Sequence, residues 1–354
     1  MSKWEWKKLK DICEKGSSNI KQSDLKDLTG DYPIFGASGY IQNVDFYQRD
    51  RDYIGIIKDG SGVGRTMLLP AFSSVIGTLQ YILPKEGNDI KFINYALQNI
   101  DFSKSVQGAA IPHIYFKDYG ETEILVPPLS EQKRIVKFLD EEFSKIDTLK
   151  TNTETNLKNA KELFESELRK TFGNPIWKKK NFSDLFKLKS GEYLNSKDIS
   201  EGEYPVYGGN GIIAFHNKYN LNGANVIIGR VGALCGNVRF ISDPIWLTDN
   251  AFRIVFQTDE IDCLFATYLL NFLNLRSYAR QAAQPVISNA SLKDVSIPLP
   301  PLSVQKEIVA RLDKLSENVK RLEANYKQII ANCDELKKSI LKKTFEGDSR
   351  SSRE

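Results

Sequence analysis

From Leu315 onward, apolar side chains fall at alternating gaps of four and three: Leu315, Val319, Leu322, Tyr326, Ile329, Cys333, Leu336 and Ile340. Such gaps align side chains along one stripe of an α-helix, so the stretch predicts a long helix with a heptad seam. The stretch displaced by the same distance as Pro127 from Pro300, 173 positions, repeats the spacing with weaker residues: Glu142, Ile146, Leu149, Thr153, Asn156, Ala160, Leu163 and Glu167. Two helices of roughly 40 residues and about 60 Å each follow. Before each stands a proline pair, Pro127-Pro128 and Pro300-Pro301, which forces an extended approach. Ser130 and Ser303 are then read as N-caps, with Lys133 and Lys306 at the third helical position. Each apolar stripe needs a cover, and the economical cover is the other helix. The expected seam is Ile146, Leu149 and Leu163 against Leu315, Val319, Leu322, Tyr326, Ile329 and Leu336, with the small or polar Thr153, Asn156 and Ala160 making it asymmetric and register-specifying.

The remaining segments read differently. Short apolar runs such as Tyr53–Ile57 and Asn225–Ile228 alternate with Gly and Pro turns, which predicts short strands with glycine corners. A helix near Phe92 to Ile100, and another from Cys263 to Leu275, completes each part. The fold class expected is α+β with mixed or antiparallel curved sheets.

The chain is written twice. Ile124–Asp140, with its Pro-Pro-Leu-Ser-Glu-Gln-Lys core, reappears as Ile297–Asp313, with Pro-Pro-Leu-Ser-Val-Gln-Lys. At the same offset Ala109–Pro112 falls on Ala282–Pro285, and Lys170-Thr171-Phe172 falls on Lys343-Thr344-Phe345. Further upstream the offset slips by one residue: Tyr32–Gly36 matches Tyr204–Gly208, and Gly60 and Gly64 match Gly232 and Gly236. A single-residue slip belongs in a loop, where insertion costs little. A persistent offset marks a duplicated unit with a pseudo-two-fold relation. The expected boundaries are a first globular domain over 1–126, a helix over 127–173, a second globular domain over 174–299, a helix over 300–346 and a disordered tail over 347–354. The copies agree best at the proline segment and the helix after it, and least in the globular parts: a shared scaffold with two different surfaces.

Composition narrows the chemistry. Hydrophobic content of 41% with 11% aromatics is globular, and no run approaches the roughly 18 apolar residues of a membrane span. The start, Met1 to Asp11, lacks the apolar core of a secretory signal, so a cytoplasmic location is expected. Four scattered cysteines and two histidines make a zinc site improbable and point to buried thiols. The net charge of +4 says little about nucleic acid, because a basic face can be masked by acidic helices elsewhere. The glycine-rich loop Asp59–Thr66 fails as a nucleotide cradle, since Asp59 occupies the first glycine position and Arg65 the lysine position. Tight strand corners explain it better. Asn174-Pro175-Ile176-Trp177 is not the Asp/Asn-Pro-Pro-aromatic tetrad of a base methyltransferase, so catalysis is expected to belong to a partner.

A globular unit ending in I-x-x-P-P-L-S-x-Q-K-x-I-V-x-x-L-D, a long helix, and a second copy of both resembles the specificity subunits of type I restriction-modification enzymes, over essentially the whole chain. The resemblance implies two target-recognition domains, each reading one half of a bipartite double-stranded DNA site. The helices would act as a ruler for the unread bases between the halves and would dock two methyltransferase subunits. Those subunits would bring S-adenosylmethionine, and motor and nuclease subunits using ATP and Mg would complete the enzyme, with no cofactor in this chain. The polar stripe of the first copy is the main departure from the family's pattern.

Base edges are read by exposed Arg, Lys, Asn, Gln and His on loops, and phosphates by cations on the same face. In the first domain the candidates are Lys58, Arg65, Gln107, His113 and Lys117. In the second they are Asn210, His216, Lys218, Arg230, Arg239, Arg280, Gln281 and Gln284. Like domains reading opposite strands of one duplex must be two-fold related, which makes their helices antiparallel. Half-sites one turn apart, roughly 34 Å, suit helices of this length. The alternative is a duplicated protein-binding scaffold that never touches DNA.

Overall fold

A computed structural model describes residues 4–108, 110–174, 176–280 and 285–346. The tail over 347–354 and the candidates Gln281 and Gln284 lie outside the described residues. Two compact units emerge: residues up to Glu154 together with those from Lys327 on, and Thr155–Tyr326. The first is therefore assembled from both ends of the chain.

The first unit contains strands β1 (Glu5–Lys8), β2 (Cys13–Ser17), β3 (Tyr32–Gly36), β4 (Gly39–Val44), β5 (Tyr53–Ile57), β6 (Thr66–Leu69), β7 (Ser74–Val75), β8 (Leu79–Pro84) and β9 (Glu123–Val126). Its helices are α1 (Leu9–Ile12), α2 (Ile90–Gln98), α3 (Phe116–Tyr119), the start of α4 (Leu129–Phe172) and the end of α8 (Leu302–Glu346). The strands form a four-stranded sheet in the order β2-β8-β5-β6, a three-stranded sheet β4-β3-β7 and a pair β1-β9. All neighbours are antiparallel except β3 and β7.

The second unit repeats this order with β10 (Lys179–Asn181), β11 (Phe186–Ser190), β12 (Tyr204–Gly208), β13 (Gly211–His216), β14 (Asn225–Gly229), β15 (Val238–Ile241), β16 (Trp246–Leu247), β17 (Ala251–Phe256) and β18 (Ser296–Pro298). Its helices are α5 (Phe182–Leu185), α6 (Cys263–Phe272), α7 (Asn289–Leu292) and most of α8 (Leu302–Glu346), with the end of α4. The sheets are β11-β17-β14-β15, β13-β12-β16 and β10-β18. Both hairpins of the three-stranded sheets carry a bulge at the same place, Ile34/Phe35 and Val206/Tyr207. The helices expected at Phe92–Ile100 and Cys263–Leu275 are α2 and α6.

Apolar residues of the four-stranded sheet pack on the helices in each unit. In the first, Ile54, Ile56 and Ile82 meet Phe92, Ile93 and Leu97 of α2 and Leu139, Phe143 and Ile146 of α4. Burial pushes the Cys13 thiol in this core up to about 12. In the second, Val226, Ile228 and Ile254 meet Phe265, Leu269 and Leu270 of α6 and Ile308 and Leu312 of α8.

The long helices run antiparallel within each unit. In the first, Lys150 pairs with Asp334 at 2.7 Å and Lys337 with Asp147 at 2.5 Å, so numbers rise on one helix as they fall on the other. In the second, the end of α4 meets the start of α8, with Arg311 donating to Thr171 at 2.8 Å and pairing with Glu167 at 3.2 Å.

The seam differs from the expected one at alternate positions. Ile146, Thr153, Ala160, Val319 and Cys333 are buried, and Leu315, Tyr326 and Ile329 are half-buried. Leu149, Leu163, Leu322 and Leu336, however, are 50%, 55%, 36% and 49% exposed. The more covered residue is the next along: Lys150, Phe164, Glu323 and Lys337. Apolarity favours leucine at these places, yet aliphatic stems of charged residues cover a seam well. Lys337 does so with its ammonium 5.2 Å from the centre of the Phe143 ring.

The helix starts also need correction. α4 and α8 begin at Leu129 and Leu302, so Ser130 and Ser303 lie inside the first turn and are not N-caps. The carbonyls of Pro128 and Pro301 accept the first helical bonds, from Gln132 and Gln305.

Candidate nucleic-acid interface

Three loops converge in each unit. In the first, backbone bonds tie the Asp59–Arg65 loop to the stretch from Gln107 to His113, and the β3–β4 turn joins them through one side chain. Gly60 N–H donates to Pro112 O at 2.9 Å, Ile114 N–H to Lys58 O at 2.9 Å, and Gln107 and His113 exchange two bonds of 2.8 Å. The Arg65 guanidinium reaches back to Ala37 O in the turn, at 3.4 Å. The glycine loop is a strand corner, as expected: Gly60 and Gly64 have φ of +96° and +87°, and a Cβ on Gly64 would strike the Phe102 ring.

Lys58, Arg65, Gln107 and His113 thus share one surface, and Lys117 joins them through Tyr115, whose ring lies 5.0 Å from His113 and 5.5 Å from the Lys117 ammonium. Two acids temper it. Asp59 lies 3.8 Å from the Lys58 ammonium, and Asp118 accepts from Gln107 at 3.0 Å.

The second unit builds the same surface with other side chains. Ile287 N–H donates to Arg230 O and Arg280 N–H to Val286 O, both at 3.0 Å, while the Asn210 side chain accepts from Leu234 N–H at 2.9 Å. Arg239 on β15 lies beside the β12–β13 turn, since a Cβ on Gly211 would stand 3.5 Å from its guanidinium. Arg230 is partly committed inward, donating to Asp249 O at 3.2 Å over the Phe252 ring. Asn210, Arg230, Arg239 and Arg280 are therefore brought together.

His216 and Lys218 are not. They lie at the far end of the β12–β13 hairpin, where His216 opposes Tyr204. His216 is 4% exposed, accepts from Ser200 N–H at 3.1 Å and packs edge-on against Trp246, so its ring holds a loop and is not presented to a duplex.

Sequence reasoning passed over several residues on these surfaces. Arg276 donates to Ala233 O in the glycine loop, and the apolar Tyr40, Ile111, Ile212 and Leu234 are 60%, 65%, 51% and 45% exposed. Position 40 matches 212 at the offset of the strand repeat, a signal that could have found both. Burial pushes the Cys235 thiol under this loop up, with Arg276 opposing. Among the described residues no cluster of three or more His, Cys, Asp or Glu could hold a metal, and no helix is long and apolar enough to cross a membrane.

The chain is 32% identical over 142 residues to the Type I restriction enzyme EcoprrI specificity subunit of Escherichia coli, a match spanning 39% of this chain and 35% of that protein. It is 24% identical to the Type I restriction enzyme MjaVIII specificity subunit of Methanocaldococcus jannaschii, over 98% of this chain and 93% of the relative. A chain solved for the complex assembly and conformational transition of the type I R-M system superposes with a TM-score of 0.77 at 18% identity, covering 98% of each. The profile of the type I restriction modification DNA specificity domain matches twice, over residues 1–159 and 175–331, and the chain belongs to that family.

Proposed function

We propose that this chain is the non-catalytic, target-recognising subunit of a type I restriction-modification assembly in the cytoplasm. Each three-loop surface reads one half of a bipartite double-stranded DNA site, and the paired helices set the number of unread bases between the halves. The observation that carries this reading is that two copies of one scaffold bring cations together on equivalent loops while differing in which side chains they present. A scaffold for one unvarying partner would have no need of unlike loops.

Leu149, Leu163, Leu322 and Leu336 occupy equivalent exposed positions in the two copies. Exposed apolar positions kept in duplicate suit a partner that binds twice, here two methyltransferase subunits. Those bring S-adenosylmethionine, and restriction subunits bring ATP and Mg.

The test is a duplex titration of the chain with methyltransferase subunits at several salt concentrations. Binding through several phosphates weakens by orders of magnitude as salt rises, whereas a scaffold that never touches DNA gives no shift at any salt. Absence of a salt-dependent shift would return the protein-scaffold alternative.

A further inference from the structure

Both copies keep a glutamine inside Pro-Pro-Leu-Ser-x-Gln, Gln132 and Gln305, and the two are 1% and 0% exposed. A buried primary amide is costly unless its hydrogen bonds are made. Here they are made to particular places. Gln132 Oε1 accepts from Asp89 N–H at 2.7 Å, and its Nε2 donates to Pro127 O at 2.9 Å. Gln305 Oε1 accepts from Asp262 N–H at 2.8 Å, and its Nε2 donates to Pro300 O and Glu260 O, both at 2.8 Å.

Asp89 and Asp262 are themselves the N-caps of α2 and α6, each accepting from two amides of its helix. The glutamine therefore fastens the start of a long helix to the start of a domain helix, through a backbone amide that the cap leaves free.

A second fastening lies further up. The Tyr95 hydroxyl donates to Asp140 and the Tyr268 hydroxyl to Asp313, both at 2.6 Å. Gln132 and Asp140 are eight residues apart, about 12 Å along the helix axis. One fastening leaves a pivot; two at that separation fix direction as well as position. Beyond α2 the chain runs directly to Phe102, whose ring lies under Gly64, and on to Gln107. Beyond α6 it runs to Arg276, which holds Ala233 O, and on to Arg280. The fastened helix is thus the element that carries two of the three converging loops.

We infer that Gln132 with the Tyr95–Asp140 pair, and Gln305 with the Tyr268–Asp313 pair, are positioning residues. They set the direction in which each unit's loops leave the long helix, and through it the selectivity for the spacer between half-sites. This rests on the reading of the loops as DNA-reading surfaces and of the helices as the ruler.

The experiment uses the chain assembled with its methyltransferase subunits and unmethylated duplexes carrying the target with its natural spacer or with one or two base pairs added or removed. Two double variants are compared with the wild type: Gln132→Leu with Gln305→Leu, and Tyr95→Phe with Tyr268→Phe. Expected is a loss of about tenfold or more in the preference for the natural spacer, with base preference inside each half-site kept. A loss of stability alone would lower methylation on all duplexes in proportion and leave that ratio unmoved.

An unchanged spacer profile in both variants overturns the inference. If the glutamine variant fails to fold, the tyrosine variant decides, because phenylalanine keeps the ring packing of Tyr95 on Phe143. A wild type indifferent to spacer would instead sink the ruler reading itself, an outcome distinct from the first.

Discussion

The two units share their framework and differ where they face outward. Asp89 and Asp262 cap matching helices, Gln132 and Gln305 make matching bonds, and both hairpins bulge at the same step. On the loops, the first unit presents Lys58, Arg65 and His113 beside Asp59 and Asp118, and the second presents Arg230, Arg239 and Arg280 around Asn210. The difference teaches which parts of one scaffold the two copies hold in common and which they vary. Buried polar bonds tolerate no variation without leaving a partner stranded, while exposed loops can change without disturbing the core.

The most drastic way to break the comparison is to replace residues 1–126 with the matching domain of another subunit. One half-site of the methylated sequence should change completely and the other not at all, as methylome sequencing will report; alteration of both would deny the units their independence. Next in size, four residues inserted after Asn156 shift the seam of α4 by more than one turn. Methylation should be abolished or move to a longer spacer, and full activity on the original spacer would count against the helices as ruler.

The seam itself is sharpened by two neighbouring truncations. Ile146→Ala, in the buried core, should cost about 2–4 kcal/mol in urea unfolding. Leu149→Ala, on the exposed stripe, should cost under about 0.5 kcal/mol of folding and show its effect in methyltransferase binding.

On the loops, Arg65→Ala and Arg280→Ala should each weaken DNA binding by about 1–3 kcal/mol if the side chain reads a base, relaxing preference in a single and different half-site. A uniform loss with a shallower salt slope would mark a phosphate contact instead.

The smallest effect concerns pH. Cys13 has its ionisation raised by burial from 9.0 to about 12, so its contribution is present below pH 9 and is lost as pH climbs toward 12. Cys13→Ala should flatten that alkaline decline relative to the wild type, and identical slopes in the two would contradict it.

Much of this was legible in the chain because duplication makes a sequence its own comparison. The long helices and the strand corners at Gly60 and Gly64 follow from spacing and turn chemistry. The seam register did not, since hydrophobicity separates Leu336 from Lys337 in the wrong sense once the lysine stem covers a phenylalanine ring. His216 misled for a related reason: a lone histidine between an apolar run and Asn217-Lys218 gives no sign that its ring packs against a tryptophan. The glutamine fastenings were invisible because a buried amide and an exposed one are spelled alike.

The make-up of the first unit has a bearing on synthesis. Its core takes Cys333 and Leu341 from a helix made later, so a ribosome must translate the whole of Thr155–Tyr326 before those residues emerge. At roughly 5–20 residues per second that is a wait of about 10 to 35 s, with Phe143 and Ile146 lacking their final cover. A nascent chain in that interval displays an unsated greasy ridge, and premature termination would leave it so permanently, an invitation to chaperones and proteases that the finished molecule withdraws.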